Sequence, residues 1–412
     1  METEKPLLTR YREIRAATEN LAEPLEVEDC VIQSMPDVSP TRWHLAHTTW
    51  FFETFVLSQA FPDYEAVHPL YKYLFNSYYN AVGEQFPRPR RGLLSRPTVA
   101  EVMDYRRRVD DRMEAFLQKG GEAVRALAYI IELGINHEQQ HQELILTDIK
   151  HVLSCNPLYP AYGPSGERKG EALPQQWKHY PEAIYRFGYQ GKEFCFDNEL
   201  PSHRVLVGSF ELATRLVTCG EYMKFIEDNG YRRPEFWLSA GWQQVLAARW
   251  QAPLYWIKKD QDWWQFTLSG LRPVEQDEPV CHVSYFEADA YARWAGARLP
   301  TEFEWELAAA GIPIEGNFVE TGLLHPAATT RSDTPAQMFG DVWEWTSSAY
   351  AGYPGFAPAQ DALGEYNGKF MCNQYVLRGG SCVTPSSHIR PTYRNFFQPE
   401  AQWQFSGIRL CR

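Results

Sequence analysis

The chain has no C-x-x-C pair among its eight cysteines, and their scatter from Cys30 to Cys411 predicts reduced thiols rather than a disulfide framework. Positive charge is in deficit: 40 Lys and Arg stand against 52 Asp and Glu, a formal net charge of −12, which speaks against nucleic acid as a partner. Uninterrupted apolar runs of membrane-spanning length are missing, so no membrane partner is expected. The start, METEKPLLTRYREIRAATEN, has no apolar h-region and predicts no signal peptide. Together these absences predict a cytoplasmic protein. What is present, 412 residues of which 44% are hydrophobic and 15% aromatic, suits two or three domains with sizeable cores.

The most informative stretch is Leu133 to Thr147, LGINHEQQHQELILT. On a helix, His137 and His141 stack on one face with Gln140 beside them, which is half of a metal site or a solvated histidine pair. His137-Glu138-Gln139-Gln140-His141 also matches the zinc-protease signature H-E-x-x-H, but Leu144 stands where the extended motif needs Gly. A third ligand lies upstream instead, in Trp43-His44-Leu45-Ala46-His47, and either histidine can supply it. The aromatic residues of that segment, Trp43, Trp50, Phe51 and Phe55, read as core packing.

Around these motifs the periodicity predicts four helices. The first spans about 5 to 22, and the second opens with Ser39 as N-cap and Pro40 at its first position. The third starts at the capping box Thr98 to Glu101 and runs to about 117; the fourth covers about 122 to 153. Residues 62 to 97 form a long polar and aromatic loop containing Asn76-Ser77-Tyr78-Tyr79-Asn80 and Pro87-Arg88-Pro89-Arg90-Arg91-Gly92, and loops of that length are usually functional or mobile. A bundle interior is a usual place for a metal held by facing helices. A Pro/Gly-rich linker is expected at 154–176. From 177 to 412 the chain changes to short strands with helices opened by three capping boxes, Thr218 to Glu221, Ser284 to Glu287 and Thr301 to Glu304. The fold class is α+β in two domains, with boundaries 1–153 and 177–412.

Six segments carry a resemblance. Arg298-Leu299-Pro300-Thr301-Glu302-Phe303-Glu304-Trp305-Glu306, Phe339-Gly340-Asp341-Val342-Trp343-Glu344-Trp345-Thr346 and Leu377-Arg378-Gly379-Gly380-Ser381, followed by Gly407-Ile408-Arg409-Leu410, resemble the landmarks of the formylglycine-generating-enzyme (sulfatase-modifying factor) domain, a C-type-lectin-like fold. The W-H-L-A-H and H-x-x-x-H-x-E segments resemble a DinB-like four-helix bundle. In this order the two resemble the sulfoxide synthases of ergothioneine biosynthesis, non-haem Fe(II) oxygenases that use O2 to join a cysteine sulfur to the imidazole of hercynine (Nα-trimethylhistidine).

That resemblance implies His47, His137 and His141 as iron ligands, with His44 outside the set; Glu143 lies about 200° around the helix from His141 and is read as structural or as supporting the ligands from behind. It implies Gln140 as the partner of the hercynine imidazole. In Arg394-Asn395-Phe396-Phe397 it implies Asn395 on the substrate carboxylate and Phe396 facing the trimethylammonium, with simple core aromatics an equal reading of Phe396 and Phe397. Arginine suits a planar carboxylate, so Arg88 and Arg91 are the choices for the sulfur donor, against a solvated basic run. Phe397 stands where one branch of the family has Asp, which favours cysteine over γ-glutamylcysteine. The tyrosine that one branch carries about twenty residues before R-G-G-S is missing from Gly355–Gln360, and Tyr78 and Tyr79 resemble the pair another branch uses as proton donors. The alternatives are an ovothiol-type synthase acting on unmethylated histidine, a sulfatase-modifying enzyme, which would need paired cysteines, and a non-catalytic lectin-like binding module. Oligomeric state leaves no mark in the sequence.

Overall fold

A computed structural model describes residues 6–164, 166, 170–329, 335–358 and 362–412, and it divides into two compact units. The first unit holds Met1–Tyr162 together with Pro358–Tyr366; the second holds Gly163–Ala357 with Asn367–Arg412. The architecture is α+β, one unit built of helices and the other of short sheets with helices between them.

Four long helices build the first unit: α1 (Leu7–Ala22), α2 (Thr41–Phe52), α3 (Val99–Lys119) and α4 (Glu122–Ser154). Lys5, in the expected start of α1, lies outside the described residues. The capping box of α3 forms with both of its bonds, Thr98 to the Glu101 N–H and Glu101 back to the Thr98 N–H, so two orphan donors are satisfied locally. The expected cap of α2 is corrected: Pro40 is the N-cap, and no side chain caps the helix. Ser39 is drawn away, its N–H donating to Asp148 at 2.7 Å and its hydroxyl accepting from Arg91 at 2.9 Å. Beyond Phe52 the helix continues through a π-helical turn, Glu53–Leu57, a local irregularity common near functional sites.

Two features set how α4 packs. A Cβ on Gly134 would stand 2.6 Å from Phe52 Cε1 and 2.9 Å from Phe51 Cε1, so glycine is what allows α2 and α4 to approach one turn before His137. Glu138 is fully buried and accepts from Arg15 of α1 at 2.8 Å and Arg106 of α3 at 3.1 Å, tying three helices together. Such a buried cluster is costly to break, because removing one member strands the other charges.

The segment expected as one long loop is partly ordered. It contains a helical turn at Tyr71–Leu74 and a 3-10 helix at Arg88–Leu93. Between them the buried Asn76 side chain donates to the carbonyls of Tyr79 (2.9 Å) and Gly83 (3.2 Å) and accepts the Tyr79 N–H (3.0 Å), doing locally what a strand partner would do.

In the second unit β1 (Trp177–Tyr180) pairs antiparallel with β4 (Phe210–Ala213), and β2 (Ala183–Phe187) with β3 (His203–Val207). β5 (Trp256–Lys259), β6 (Asp262–Thr267) and β7 (Gly270–Pro273) make an antiparallel meander. A four-stranded sheet has the order β10 (Asn395–Phe397), β9 (Tyr375–Arg378), β8 (Trp343–Ala349), β11 (Ser406–Gly407), with only the β8–β11 pair parallel. The three expected capping boxes all form, opening α5 (Cys219–Glu227), α7 (Tyr285–Trp294) and α8 (Glu302–Ala309), while α6 (Ser239–Ala248) has no side-chain cap.

The sequence landmarks of this unit are its wiring. Glu302 and Glu306 of α8 accept from Arg378 of β9 at 3.0 and 2.8 Å, and Glu302 also receives Arg394 at 2.8 Å. Glu344 of β8 holds Arg409 at 2.7 Å and the Trp305 indole N–H at 2.8 Å. Gly379 has φ +98°, and a Cβ there would lie 2.7 Å from the Met338 carbonyl oxygen, so both conformation and space require glycine.

Candidate metal centre

Helix α2 brings His47 and helix α4 brings His137 and His141 to one point. Their ligand nitrogens lie within 4.8 Å of one another, and all three side chains are buried. Among the described residues this is the one group of three or more His, Cys, Asp or Glu close enough to share an ion. His47 Nε2 and His137 Nε2 are 3.2 Å apart, close enough to face a single ion. Burial pushes all three imidazoles well below their ordinary pKa, His137 to about 3, so each is neutral near pH 7 and offers a lone pair.

The helices also orient the rings. Trp43 and Trp50, four residues before and three after His47 on α2, stack on it at 4.5 and 5.6 Å between centroids, with interplanar angles of 13° and 18°. The expected core aromatics are therefore buried and serve as a clamp on the ligand at once. His47 Nδ1 lies 2.5 Å from the Phe75 carbonyl oxygen, an acceptor that requires the proton on Nδ1 and leaves Nε2 for the metal. His44 stands behind His141, 2.8 Å between their Nδ1 atoms, and is not part of the converging set.

Several further residues gather around this cluster within the first unit. Gln140 is half-buried, and its Oε1 accepts a hydrogen bond from the Tyr366 hydroxyl. Tyr366, from the returning segment, is buried with its ring 5.7 Å from His137 and 6.3 Å from Tyr78, both edge-on. The same segment is pinned to the loop by Glu365, whose carboxylate accepts the N–H groups of Asn80 (3.0 Å) and Ala81 (2.8 Å). Tyr78 and Tyr79 pack at 4.7 Å, and burial pushes both phenols above their ordinary pKa, so both carry their proton at neutral pH.

The two arginines fare differently. Arg88 is exposed and donates to the Asp37 carbonyl. Arg91 is buried, its guanidinium 3.4 Å above the Trp43 ring, donating to the Ser39 and Ser77 hydroxyls at 2.9 and 3.3 Å. Its Nε has no hydrogen-bond partner, and among the described residues no carboxylate pairs with it. Burial, helped by the neighbouring Arg88 and only partly opposed by Asp148, pushes its pKa down.

In the second unit Asn395, Phe396 and Phe397 form the edge strand β10 and are half-buried. The Asn395 side-chain oxygen accepts the Phe396 N–H at 2.9 Å. Phe396 stacks on Tyr350 at 4.0 Å and 11°, with Phe370 at 5.9 Å, and Phe397 meets the Trp403 ring at 6.1 Å. Arg394, just before them, is committed to Glu302 and to the Asn198 and Ala351 carbonyls, so it anchors the strand.

Comparison with known proteins gives this arrangement a family. Residues 10–145 match the DinB superfamily, and residues 185–334 and 334–412 match the sulfatase-modifying factor enzyme 1-like domain. A hercynine oxygenase of Mycobacterium tuberculosis is 32% identical over 100% of this chain and 99% of its own length. The chain belongs to the hercynine oxygenase family. Another hercynine oxygenase, from Mycolicibacterium thermoresistibile, is 31% identical over 91% of this chain and 88% of that protein. Ergothioneine biosynthesis protein 1 of Schizosaccharomyces pombe is 29% identical over 53% of this chain and 28% of its own length.

Within the hercynine oxygenase family two competing readings of this chain lose their footing. The glutamate of H-E-x-x-H would have to act as a base, but Glu138 is locked between two arginines, which outweigh burial and hold its pKa below the ordinary carboxylate range. None of the eight cysteines is in a disulfide, and Cys382, the one beside R-G-G-S, is buried. Two residues were missed by sequence reasoning. Tyr366 lies closer to Arg378 than the Gly355–Gln360 stretch searched for a tyrosine, of which Ala359 and Gln360 lie outside the described residues. Asp148, two turns after His141, carries no motif of its own, and only its contact with His44 singles it out.

Proposed function

We propose that this chain is a non-haem Fe(II) oxygenase that joins a cysteine sulfur to the imidazole of hercynine with O2 in ergothioneine biosynthesis. The overall change removes the thiol hydrogen and one imidazole C–H hydrogen, forms a C–S bond, places one oxygen on sulfur and releases the other as water. The observation that carries the reading is the buried set His47, His137 and His141, in a chain of the hercynine oxygenase family. Three neutral imidazoles fit Fe(II), and iron held by them alone would keep positions open to activate O2 beside the substrates.

The remaining work falls to the protein. Gln140 orients the hercynine imidazole, its amide offering a donor and an acceptor, while Tyr366 holds that amide in place. Arg91, with Arg88 next to it, takes the carboxylate of the sulfur donor; a buried guanidinium whose Nε has no hydrogen-bond partner supports this. Tyr78 or Tyr79 keeps the proton that O2 reduction consumes, and Tyr366 competes for the role. Phenylalanine at the residue responsible should shift the product from sulfoxide toward cysteine oxidised on its own, and an unchanged ratio in all three variants would remove the phenols from the reaction.

Asn395, Phe396 and Phe397 are assigned to the betaine end of hercynine on the resemblance of their segment, and Phe397 in place of Asp favours cysteine over γ-glutamylcysteine. A cytoplasmic setting belongs to the same reading, and eight cysteines outside any disulfide support it. The test is anaerobic loading with Fe(II), then O2 with hercynine or histidine against cysteine or γ-glutamylcysteine, read by mass spectrometry. Sulfoxide from hercynine and cysteine is expected, and none from a His137→Ala protein that has lost its iron. Failure of the wild type to bind iron stoichiometrically would leave a non-catalytic binding module as the better description.

A further inference from the structure

The three candidate ligands rest on three different supports. His47 Nδ1 faces a backbone carbonyl, while His137 Nδ1 has no hydrogen-bond partner. His141 Nδ1 lies 2.8 Å from His44 Nδ1, and His44 Nε2 lies 3.0 Å from Asp148 Oδ2. Asp148 is itself fixed, because the same oxygen accepts the Ser39 N–H at 2.7 Å. All three side chains of this row are buried.

Hydrogen-bond logic gives the row one direction. The Asp148 carboxylate only accepts, so His44 must carry its proton on Nε2. With a single ring proton, placed on Nε2 by Asp148, His44 has a lone pair on Nδ1, which can only accept from His141 Nδ1–H. His141 is thereby held in the tautomer whose Nε2 is bare. Reversing the row would place a lone pair of His44 against a carboxylate and a proton on His141 Nε2, the nitrogen left for an ion. Resting on the reading of the cluster as a metal centre, we propose that His44 and Asp148 are positioning residues: a carboxylate–imidazole relay that sets the tautomer and ring orientation of His141 and strengthens it as a ligand. A carboxylate behind a metal-bound imidazole has this effect generally, and its loss costs about 10- to 100-fold in metal affinity; here an imidazole is interposed. The first histidine of W-H-L-A-H thus has an assignment that does not place it on the ion.

The test measures metal binding and tautomer rather than turnover. Fe(II) and Co(II) affinities are measured anaerobically for the wild type, His44→Phe, His44→Gln and Asp148→Asn, with the Co(II) visible spectrum recorded and ¹⁵N NMR of the histidines in the metal-free protein. His44→Phe should weaken binding by about 10- to 100-fold and alter the Co(II) bands. His44→Gln, whose amide oxygen can accept from His141, should restore part of the affinity. Asp148→Asn keeps an acceptor without the charge and should fall between His44→Phe and wild type. The ¹⁵N shifts of wild-type His141 should report the Nδ1–H form. The inference is overturned if folded His44→Phe and Asp148→Asn bind with wild-type affinity and spectrum, or if His141 is protonated on Nε2. Absence of metal binding in the wild type would overturn the metal centre and this inference with it, whereas normal wild-type binding with unaffected variants would overturn this inference alone.

Discussion

Arg91 is 2% exposed and has a tryptophan face and two hydroxyls for company, with no carboxylate in hydrogen-bond contact and only Asp148 acting on it from further off, so its charge is desolvated and incompletely matched. A ligand carboxylate would complete it, and two parallel bonds to a guanidinium are worth more than one to an ammonium. Arg91→Leu is therefore expected to raise KM for the sulfur donor by roughly 10- to 100-fold, from the loss of about 1.5–3 kcal/mol of charged hydrogen bonding. KM for hercynine should change far less, and steady-state kinetics with each substrate varied in turn would show it. Equal loss for both substrates would point to a collapsed pocket instead. At this scale the sequence was partly legible. Arg91 lay in a visible basic run, but nothing local distinguished it from Arg88 and Arg90, which are exposed; the difference comes from Trp43, far away in the chain.

At the scale of elements, the centre depends on how closely α2 approaches α4. Gly134 controls that distance, since a methyl group there would meet two rings that are themselves buried, Phe51 and Phe52. Alanine raises helix propensity by about 1 kcal/mol, but overpacking a filled core costs about 1–3 kcal/mol, and with two immobile rings in the way the packing cost should win. Gly134→Ala is expected to lower Tm and weaken metal binding together, whereas a higher Tm would show that the rings can move aside. The helices themselves were readable because their signals are local: capping boxes at Thr98, Thr218, Ser284 and Thr301 each involve residues three apart, and all four form. The loop before α3 was less readable, because Asn76 organises it by bonds to backbone groups that no periodicity announces.

For the molecule as a whole, acid is the condition that tests the most at once. His47, His137 and His141 have folded pKa values below the unfolded value of about 6.5, so without metal the unfolded chain takes up protons first and stability falls as pH drops below that point. Each histidine contributes on the order of 1 kcal/mol per pH unit across that window. Glu138 adds a second decline: its pKa is lowered in the fold, so its stabilisation is present above about 4.3 and lost as pH falls through the folded value. Melting of the metal-free protein between pH 7.5 and 4 should show Tm falling from about pH 6.5 downward, and bound metal should raise Tm most at the upper end, where protons compete least. A flat profile would mean that the imidazoles are not held neutral.

By itself the sequence determined that His137 and His141 share a helix face, that four helices precede a strand-rich part, and that Glu302, Arg378 and Arg409 belong to recognisable motifs. These follow from spacings of a few residues, which local backbone geometry converts directly into position. Only the tertiary structure decided that His44 stands behind His141 across a sequence separation of 97, and that Tyr366 reaches Gln140 across 226. Contacts between remote segments depend on how buried faces pack against each other, and packing leaves no regular trace along the chain.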